Sequence, residues 1–222
     1  MNLISVLHQR LERSCAGSRA TSERVISMLC GGGKAFYFGD EAITPTLLSE
    51  KGFDVTAYIT EESRVMDGMV YAKSFELPQC VSDCDVIWYA GVAEFDLPSV
   101  RLEQLKSHCK KGAYIVYRAL CWLIEPSPDT RSYCKKRYGV ITPLDAVLTD
   151  AKQAGFKIED FYISPKSDWT EGYFRPLVEA AQQLSGEQSG DVLSGMGELK
   201  KETDMFELHC EEYSYVYYIL KG

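Results

Sequence analysis

The sequence lacks the features that would bring it to a membrane or to a nucleic acid. Its 222 residues contain no run of 18 apolar residues, which a membrane-spanning helix requires. Lys and Arg number 24 against 32 Asp and Glu, and the net charge is −8. Phosphate backbones are bound by basic faces, whereas the basic residues here occur only in short groups such as Lys110-Lys111. We therefore expect no nucleic-acid partner and no membrane partner.

Histidine is also scarce, and no histidine belongs to a recognisable metal-binding or catalytic motif. The three histidines lie far apart, at positions 8, 108 and 209, and Cys80 and Cys84 have no second cysteine pair at zinc-ligand spacing. No nucleophile stands in a nucleophile-elbow motif. The sequence therefore predicts neither a metal site nor a hydrolase, and the catalytic residues stay unknown.

Cysteine, by contrast, is abundant, with eight residues. A chain of this length buries enough surface to fold without disulfides. The N-terminus, MNLISVLHQR, reaches charged residues too early to form the apolar core of a signal peptide. Reduced thiols are the rule in proteins without such a signal. We therefore expect reduced cysteines and a cytoplasmic location.

Short β-rich runs alternate with longer amphipathic runs along the chain. This alternation is typical of an α/β fold with a parallel sheet and helices on both faces. No repeat or linker divides the sequence, which predicts one domain over 1–222, with N-terminal helices in 1–30 and insertions at 121–142 and 185–204. The predicted strands are 35–38, 54–59, 69–72, 85–89, 113–120, 157–164 and 213–220. The predicted helices are 2–14, 20–30, 44–51, 99–108, 126–139, 142–154 and 173–184, and 185–204 is expected to be a mobile surface loop that can contain a short helix.

The last two predicted strands decide the type of sheet. Residues 157–164 and 213–220 form a late pair, separated by the helix predicted over 173–184. This arrangement predicts a Rossmann-like, seven-stranded sheet that is mostly parallel and has only its last strand antiparallel.

Two Thr-Pro pairs predict where helices begin. In Thr44-Pro45 and in Thr142-Pro143, the threonine is expected to be the N-cap and the proline the first helical residue.

The loop after the first strand is the first candidate for a binding site, because open parallel sheets bind ligands beyond the carboxyl ends of their strands. This loop has one glycine, Gly39, followed by Asp40 and Glu41. A nucleotide site there favours several glycines, which let backbone N–H groups approach the ligand. Acidic residues at a helix N-terminus also simply complement the helix dipole. Both interpretations stay open.

Two further candidates follow later strands. The second strand ends at Ile59, and Glu61 comes two residues later, either to reach back to a ribose or to cap a helix. Trp122, Trp169 and Tyr173 follow predicted strand ends, where aromatic rings line a pocket or form a lid packed on the core. We expect these three rings to approach one another above the strand ends and to roof a pocket.

Several segments together resemble class I S-adenosylmethionine-dependent methyltransferases, in particular small bacterial members. The resemblance covers residues 14–222 and is most specific from 85 onward. The segments that carry it are 85–91 (DVIWYAG), 110–116 (KKGAYIV), 138–143 (YGVITP), 154–156 (AGF), 169–176 (WTEGYFRP) and 215–219 (YVYYI).

The resemblance implies S-adenosylmethionine as the cofactor. In the family's pattern, Gly17-Ser18 corresponds to a loop near the methionine end of the cofactor, and 73–78 corresponds to the adenine loop. The implied cofactor-binding residues are Gly39, Asp40, Glu41, Glu61, Ser74, Phe75 and Gly91. The implied substrate-binding residues are Trp122, Trp169 and Tyr173.

The cofactor half of the sequence departs from the family's pattern. The glycine-rich D-x-G-x-G-x-G becomes FYFGDEA over 36–42, and the ribose-binding acid falls on Ile59. Only eight residues separate Thr60 from Met69, where the family has a helix. These departures predict that S-adenosylmethionine binds weakly or not at all.

Two functions therefore stay open. One is a methyltransferase acting on an unknown small-molecule acceptor. The alternative is a degenerate methyltransferase fold without methyl-transfer activity, which binds another ligand or a protein partner. The single glycine disfavours a nicotinamide-dependent oxidoreductase. The sequence leaves a homodimer open.

Overall fold

The computed structural model describes residues 7, 15–60, 62, 65–72, 77–90, 97–184 and 190–222. Within these residues, eight strands form one sheet. The strands are β1 Gly33–Gly39, β2 Phe53–Ile59, β3 Met69–Tyr71, β4 Val86–Ala90, β5 Tyr114–Trp122, β6 Thr142–Pro143, β7 Lys157–Ile163 and β8 Tyr213–Lys221.

Helices connect the strands and cover the sheet. They are α1 Arg19–Ile26, α2 Ile43–Glu50, α3 Pro98–His108, α4 Pro128–Tyr138, α5 Leu144–Gln153, α6 Lys166–Trp169, α7 Arg175–Leu184 and α8 Gly190–His209. A 3₁₀ turn spans Gln79–Asp83, and a π-helical turn, Thr170–Phe174, joins α6 to α7. None of the described helices combines the length and the apolar character that a membrane span needs.

The strand order is β3-β2-β1-β4-β5-β8-β7, with β6 beside β5. The pairs among β1 to β6 are parallel, and β8 is antiparallel to both of its neighbours. This confirms the predicted α/β sheet with only its last strand antiparallel. The chain order reverses between β1 and β4, which is where ligands bind in sheets of this kind.

The two-residue strand β6 was not predicted. β5 has nine residues and β4 has five, so β5 extends beyond the end of its neighbour. The free edge of β5 at Cys121 and Trp122 pairs instead with Thr142 and Pro143.

Both faces of the central strands are buried, which explains their almost continuous apolar sequences. Successive side chains of a strand point to opposite faces, so Trp88 and Ile87 of β4 enter different apolar clusters. Trp88 shares its cluster with Leu48 of α2, and Ile87 shares its cluster with Leu105 of α3. Full burial of one such side chain contributes about 1.5–3 kcal/mol.

Both predictions of a threonine N-cap are wrong. α2 begins at Ile43, and its first N–H groups are bound by the side chain of Glu41, while the Thr44 hydroxyl lies 2.9 Å from the Ser22 hydroxyl. At the second pair, Thr142 belongs to β6, and α5 begins only at Leu144. In each case a contact with another element outweighs the local N-cap preference.

The prediction of a mobile loop with at most a short helix over 185–204 is also wrong for its described part, because the 20-residue helix α8 runs from Gly190 to His209. The sequence there contains several Gly and Ser residues, which are weaker helix formers. Leu199 and Phe206 are buried in an aromatic cluster with Trp169. Most helical stability in proteins comes from packing of this kind, not from intrinsic propensity.

All eight cysteines are free thiols with different exposure. Burial raises the pKa of the Cys84 thiol to about 11, and it raises the pKa of Cys121 and of Cys134 to about 12. The reactive form of cysteine is the thiolate, so these three side chains are protonated and shielded.

We therefore predict two classes of cysteine reactivity with iodoacetamide at about pH 8. The exposed Cys30 and Cys80 should be alkylated in the folded protein, whereas Cys84, Cys121 and Cys134 should react only after unfolding in urea. Peptide mass spectrometry measures both classes in one sample. Alkylation of Cys121 as fast as that of Cys30 in the folded protein would contradict this assignment.

Candidate functional site

Charged side chains meet where the strand order reverses. Asp40 directly follows β1, Ala90 ends β4, and Arg118 lies within β5. Because these strands are parallel, their carboxyl ends lie at one edge of the sheet. The Nη2 of Arg118 donates to Oδ1 of Asp40 at 3.4 Å and to the carbonyl oxygen of Ala90 at 2.9 Å. The Arg118 side chain therefore reaches from β5 past β4 to the loop after β1.

This ion pair is buried, since the side chains of Arg118 and Asp40 are 3% and 4% exposed. The guanidinium also lies 5.0 Å from the ring centroid of Tyr215. Burial by itself would lower the pKa of Arg118, but the nearby Cys15 and Asp40 raise it well above the usual value for arginine. Arg118 is therefore a permanent buried cation.

Glu41 is bound by the protein itself. Its carboxylate accepts from the backbone N–H of Ile43 at 2.6 Å and of Thr44 at 3.1 Å. The Tyr37 hydroxyl donates to the same carboxylate at 3.3 Å. Glu41 is thus the side-chain cap of α2 and complements its dipole, as one of the two sequence interpretations held. Its predicted contact with a cofactor stays a prediction.

Gly39 is explained by packing. A Cβ atom added at this position would collide with the hydroxyl of Tyr37, which folds beneath the end of β1. The missing side chain of Gly39 therefore makes room for Tyr37.

The last residue of β2 offers no ribose ligand. Ile59 is completely buried in the apolar cluster with Leu48 and Trp88. Four other predicted cofactor residues, Glu61, Ser74, Phe75 and Gly91, lie outside the described residues. After β1, Glu41 binds the N–H groups of Ile43 and Thr44, and Asp40 binds Arg118. Weak binding of S-adenosylmethionine stays a prediction.

The three predicted substrate-binding aromatics belong to one buried cluster. The ring centroids of Trp169 and Tyr173 are 6.4 Å apart, and Tyr213 lies 6.0 Å from Trp122 and 5.8 Å from Trp169. Trp169 is 1% exposed and stacks on Phe206 at 4.6 Å. The rings thus approach one another as the rings of a lid packed on the core, and their contact with a substrate stays a prediction.

Sequence reasoning missed a cavity of about 540 Å³ at the carboxyl end of β5. Trp122 is the one predicted substrate residue among those that line it. Arg131 and Glu125 form an ion pair at its rim. The other residues of its wall are Leu123, Ile124, Pro126, Pro143, Leu144 and Asp145. The pairing of β6 with β5, which brings Pro143 to Trp122, has no local signal in the sequence.

The segment before α1 packs against the π-helical turn. The N–H of Gly17 donates to the carbonyl of Asp168 at 3.3 Å, and the hydroxyl of Thr21 donates to its carboxylate at 2.7 Å. A Cβ at Gly172 would collide with the carbonyl oxygen of Gly17. The Cys15 thiol, two residues earlier, lies 3.8 Å from Oδ1 of Asp40. This segment therefore covers the Arg118–Asp40 pair.

Known structures resemble this chain along its whole length. A methyltransferase from Thiobacillus denitrificans, in complex with S-adenosylhomocysteine, superposes with a TM-score of 0.75 at 11% identity, over 99% of this chain and 98% of that one. The corresponding protein from Geobacter sulfurreducens, also with S-adenosylhomocysteine, has a TM-score of 0.72 at 12% identity, over 99% and 97%.

A larger enzyme shares the fold over part of its length. Phosphoethanolamine N-methyltransferase 2 of Haemonchus contortus, in complex with S-adenosylmethionine, has a TM-score of 0.65 at 10% identity. The match covers 95% of this chain and 54% of that one, so this chain spans about half the length of that enzyme. No protein-family model and no curated protein matches the sequence. At these identities the structures establish the fold, which is that of class I methyltransferases.

The buried pair generates a prediction about stability. Replacing Arg118 by Met removes the cationic partner of the buried Asp40 carboxylate, which should lower the free energy of unfolding by about 3–5 kcal/mol. The control is Lys200→Met, which removes an exposed pair with Asp204 and should cost less than about 1 kcal/mol. Urea unfolding followed by circular dichroism measures both values. Equal losses in the two variants would contradict the importance of the buried pair.

Proposed function

We propose that this protein is an S-adenosylmethionine-dependent methyltransferase that acts on a small-molecule acceptor. The observation that carries the proposal is the strand reversal between β1 and β4 within a sheet that matches methyltransferase structures from end to end. Two of these neighbours hold S-adenosylhomocysteine, the product form of the methyl donor. Methyl transfer depends mainly on positioning the acceptor against the donor, which agrees with the absence of a recognisable catalytic base from the sequence.

The cavity at the end of β5 supports a small acceptor. Its volume of about 540 Å³ lies in the range of small-molecule sites, roughly 300–1,000 Å³. It opens at the same edge of the sheet as Asp40, because β5 and β1 run in the same direction. Its lining combines apolar residues with three charged side chains, Glu125, Arg131 and Asp145, which can orient a polar acceptor.

The altered loop argues for weak cofactor binding. Ile59 stands where a carboxylate would accept from the ribose, and a hydrogen bond to a charged group contributes about 1.5–3 kcal/mol. The N–H groups of Ile43 and Thr44 are already bound to Glu41, so they are not free to face a ligand. Asp40 adds a negative charge near the place where the cofactor's own carboxylate would lie, and like charges repel.

The same bonds favour a second candidate function. Asp40 and Glu41 are nearly inaccessible, at 3% and 1% exposure, and both are engaged by neighbouring protein groups. The Glu41 side chain occupies the N-terminal end of α2, where an anion of a ligand would otherwise bind. Such a fold can bind a different ligand or a protein partner. In this alternative the protein has no methyl-transfer activity.

Calorimetric titration at near-neutral pH distinguishes the two functions. We predict that S-adenosylhomocysteine binds with a dissociation constant of about 10–150 µM, since a loss of about 1.5–3 kcal/mol weakens a micromolar site roughly 10- to 150-fold. ATP serves as the control nucleotide and should bind less well. A constant in the low micromolar range would contradict the predicted damage to the loop. Complete absence of binding up to millimolar ligand would contradict the methyltransferase proposal and favour the second candidate.

A further inference from the structure

We propose that Arg118 is a binding residue for a ligand carboxylate, and that Asp40 of the same chain occupies this subsite in place of the ligand. The inference rests on the proposed function, since it assigns the carboxylate of an S-adenosyl amino acid to a particular side chain. It explains why an acidic residue stands in the loop where glycine would give a ligand access.

The position of Arg118 supports a role toward a ligand. Its neighbours on the same face of β5 are Val116 and Leu120, which belong to apolar clusters. A charged side chain is rare in such surroundings unless it is paired. Its guanidinium crosses the end of β4 at Ala90 and ends at the loop after β1. The cation is thus placed at the strand reversal, where this type of sheet receives ligands.

The contact of Arg118 with Asp40 is poorer than an arginine-carboxylate pair usually is. Such pairs are commonly bidentate, with distances of about 2.7–2.9 Å. Here only Nη2 reaches the carboxylate, and the separation is 3.4 Å. The Nε of Arg118 is buried and has no hydrogen-bond partner within the described part of the chain. The guanidinium therefore has capacity for a carboxylate that approaches it more closely.

A second donor completes the subsite. The Cys15 thiol faces the same Oδ1 atom of Asp40, at 3.8 Å. A guanidinium on one side and a thiol on the other surround one carboxylate oxygen. Arg118 and Asp40 are only 3% and 4% exposed, so this point is closed to solvent. These groups form a closed place for one carboxylate, and Asp40 fills it.

Charge decides between Asp40 and a ligand. One carboxylate balances the positive charge of Arg118. A second carboxylate at the same place would be repelled by the first. A ligand carboxylate must therefore displace the side chain of Asp40. Removing the acidic side chain should raise the affinity for ligands that carry a carboxylate, and it should not affect ligands without one.

The experiment compares two ligands and several variants by calorimetry. S-Adenosylhomocysteine carries the amino-acid carboxylate, and 5′-methylthioadenosine has the same nucleoside and sulfur without it. In Asp40→Gly, S-adenosylhomocysteine should bind about tenfold more tightly or better than in the wild type, as a charge-assisted contact implies. The affinity for 5′-methylthioadenosine should be unchanged. Adding Arg118→Met to Asp40→Gly should abolish the gain.

Asp40→Asn is the second variant, because it keeps the size of the side chain and an oxygen that can accept from Arg118. It should show the same preference to a smaller extent, and Asp204→Asn, at an exposed ion pair, should show none. Circular dichroism and thermal unfolding with each ligand check the fold of each variant.

Three results would overturn the inference. An equal gain for both ligands would mean that Asp40 merely obstructs the site. Unchanged affinity for S-adenosylhomocysteine, in a wild type that binds both ligands, would mean that Asp40 does not compete, and the proposed function would stand. No binding of either ligand to any folded variant would contradict the proposed function together with this inference.

Discussion

The buried pair of Arg118 and Asp40 is the constraint on which the arrangement of the candidate site depends. Two charges removed from water are tolerated only if they remain paired and hydrogen-bonded. The pair joins the loop after β1 to the middle of β5, with the last carbonyl of β4 between them. Asp40 is thereby held in place, and the adjacent Glu41 is positioned to cap α2. This interaction across three strands and the bonds of Glu41 to α2 together hold the loop where a ligand is expected.

The aromatic cluster around Trp169 has a comparable role at the outer end of the sheet. Trp169 donates from Nε1 to the Ser214 hydroxyl at 3.1 Å and stacks on Phe206 and Tyr215. It therefore connects α6, α8 and β8, and the neighbouring π-helical turn contacts the segment before α1. Buried aromatic pairs contribute about 0.5–1.5 kcal/mol beyond the area that they bury. The rings of the cluster pack on one another and are therefore nearly inaccessible. This packing stabilises the segment that lies over the strand ends.

The fold and the site of this protein have to be considered separately. The strand order, the reversal point and the antiparallel β8 match methyltransferase structures at identities of 10–12%. The polar groups at the reversal point are nevertheless bound to one another, through Glu41 on α2 and Asp40 on Arg118. Function resides in the site and not in the fold, so the chemistry of this protein depends on whether a ligand can compete with these internal bonds.

The sequence by itself determined the sheet, because apolar strands and amphipathic helices have periods that are visible in local residues. It also indicated Gly39, Asp40 and Glu41 as an unusual loop, since three neighbouring residues suffice to show the lack of glycines. Only the tertiary structure decided the partners of that loop: Arg118 lies 78 residues away from Asp40, and its position in an apolar strand does not show which residue it pairs with. The helix over 190–209 and the strand over 142–143 were likewise decided by distant contacts, with Trp169 and with the free edge of β5. Local preference is worth a few tenths of a kcal/mol per residue, whereas burial of one aromatic side chain contributes several times as much, so long-range packing prevails wherever the two disagree.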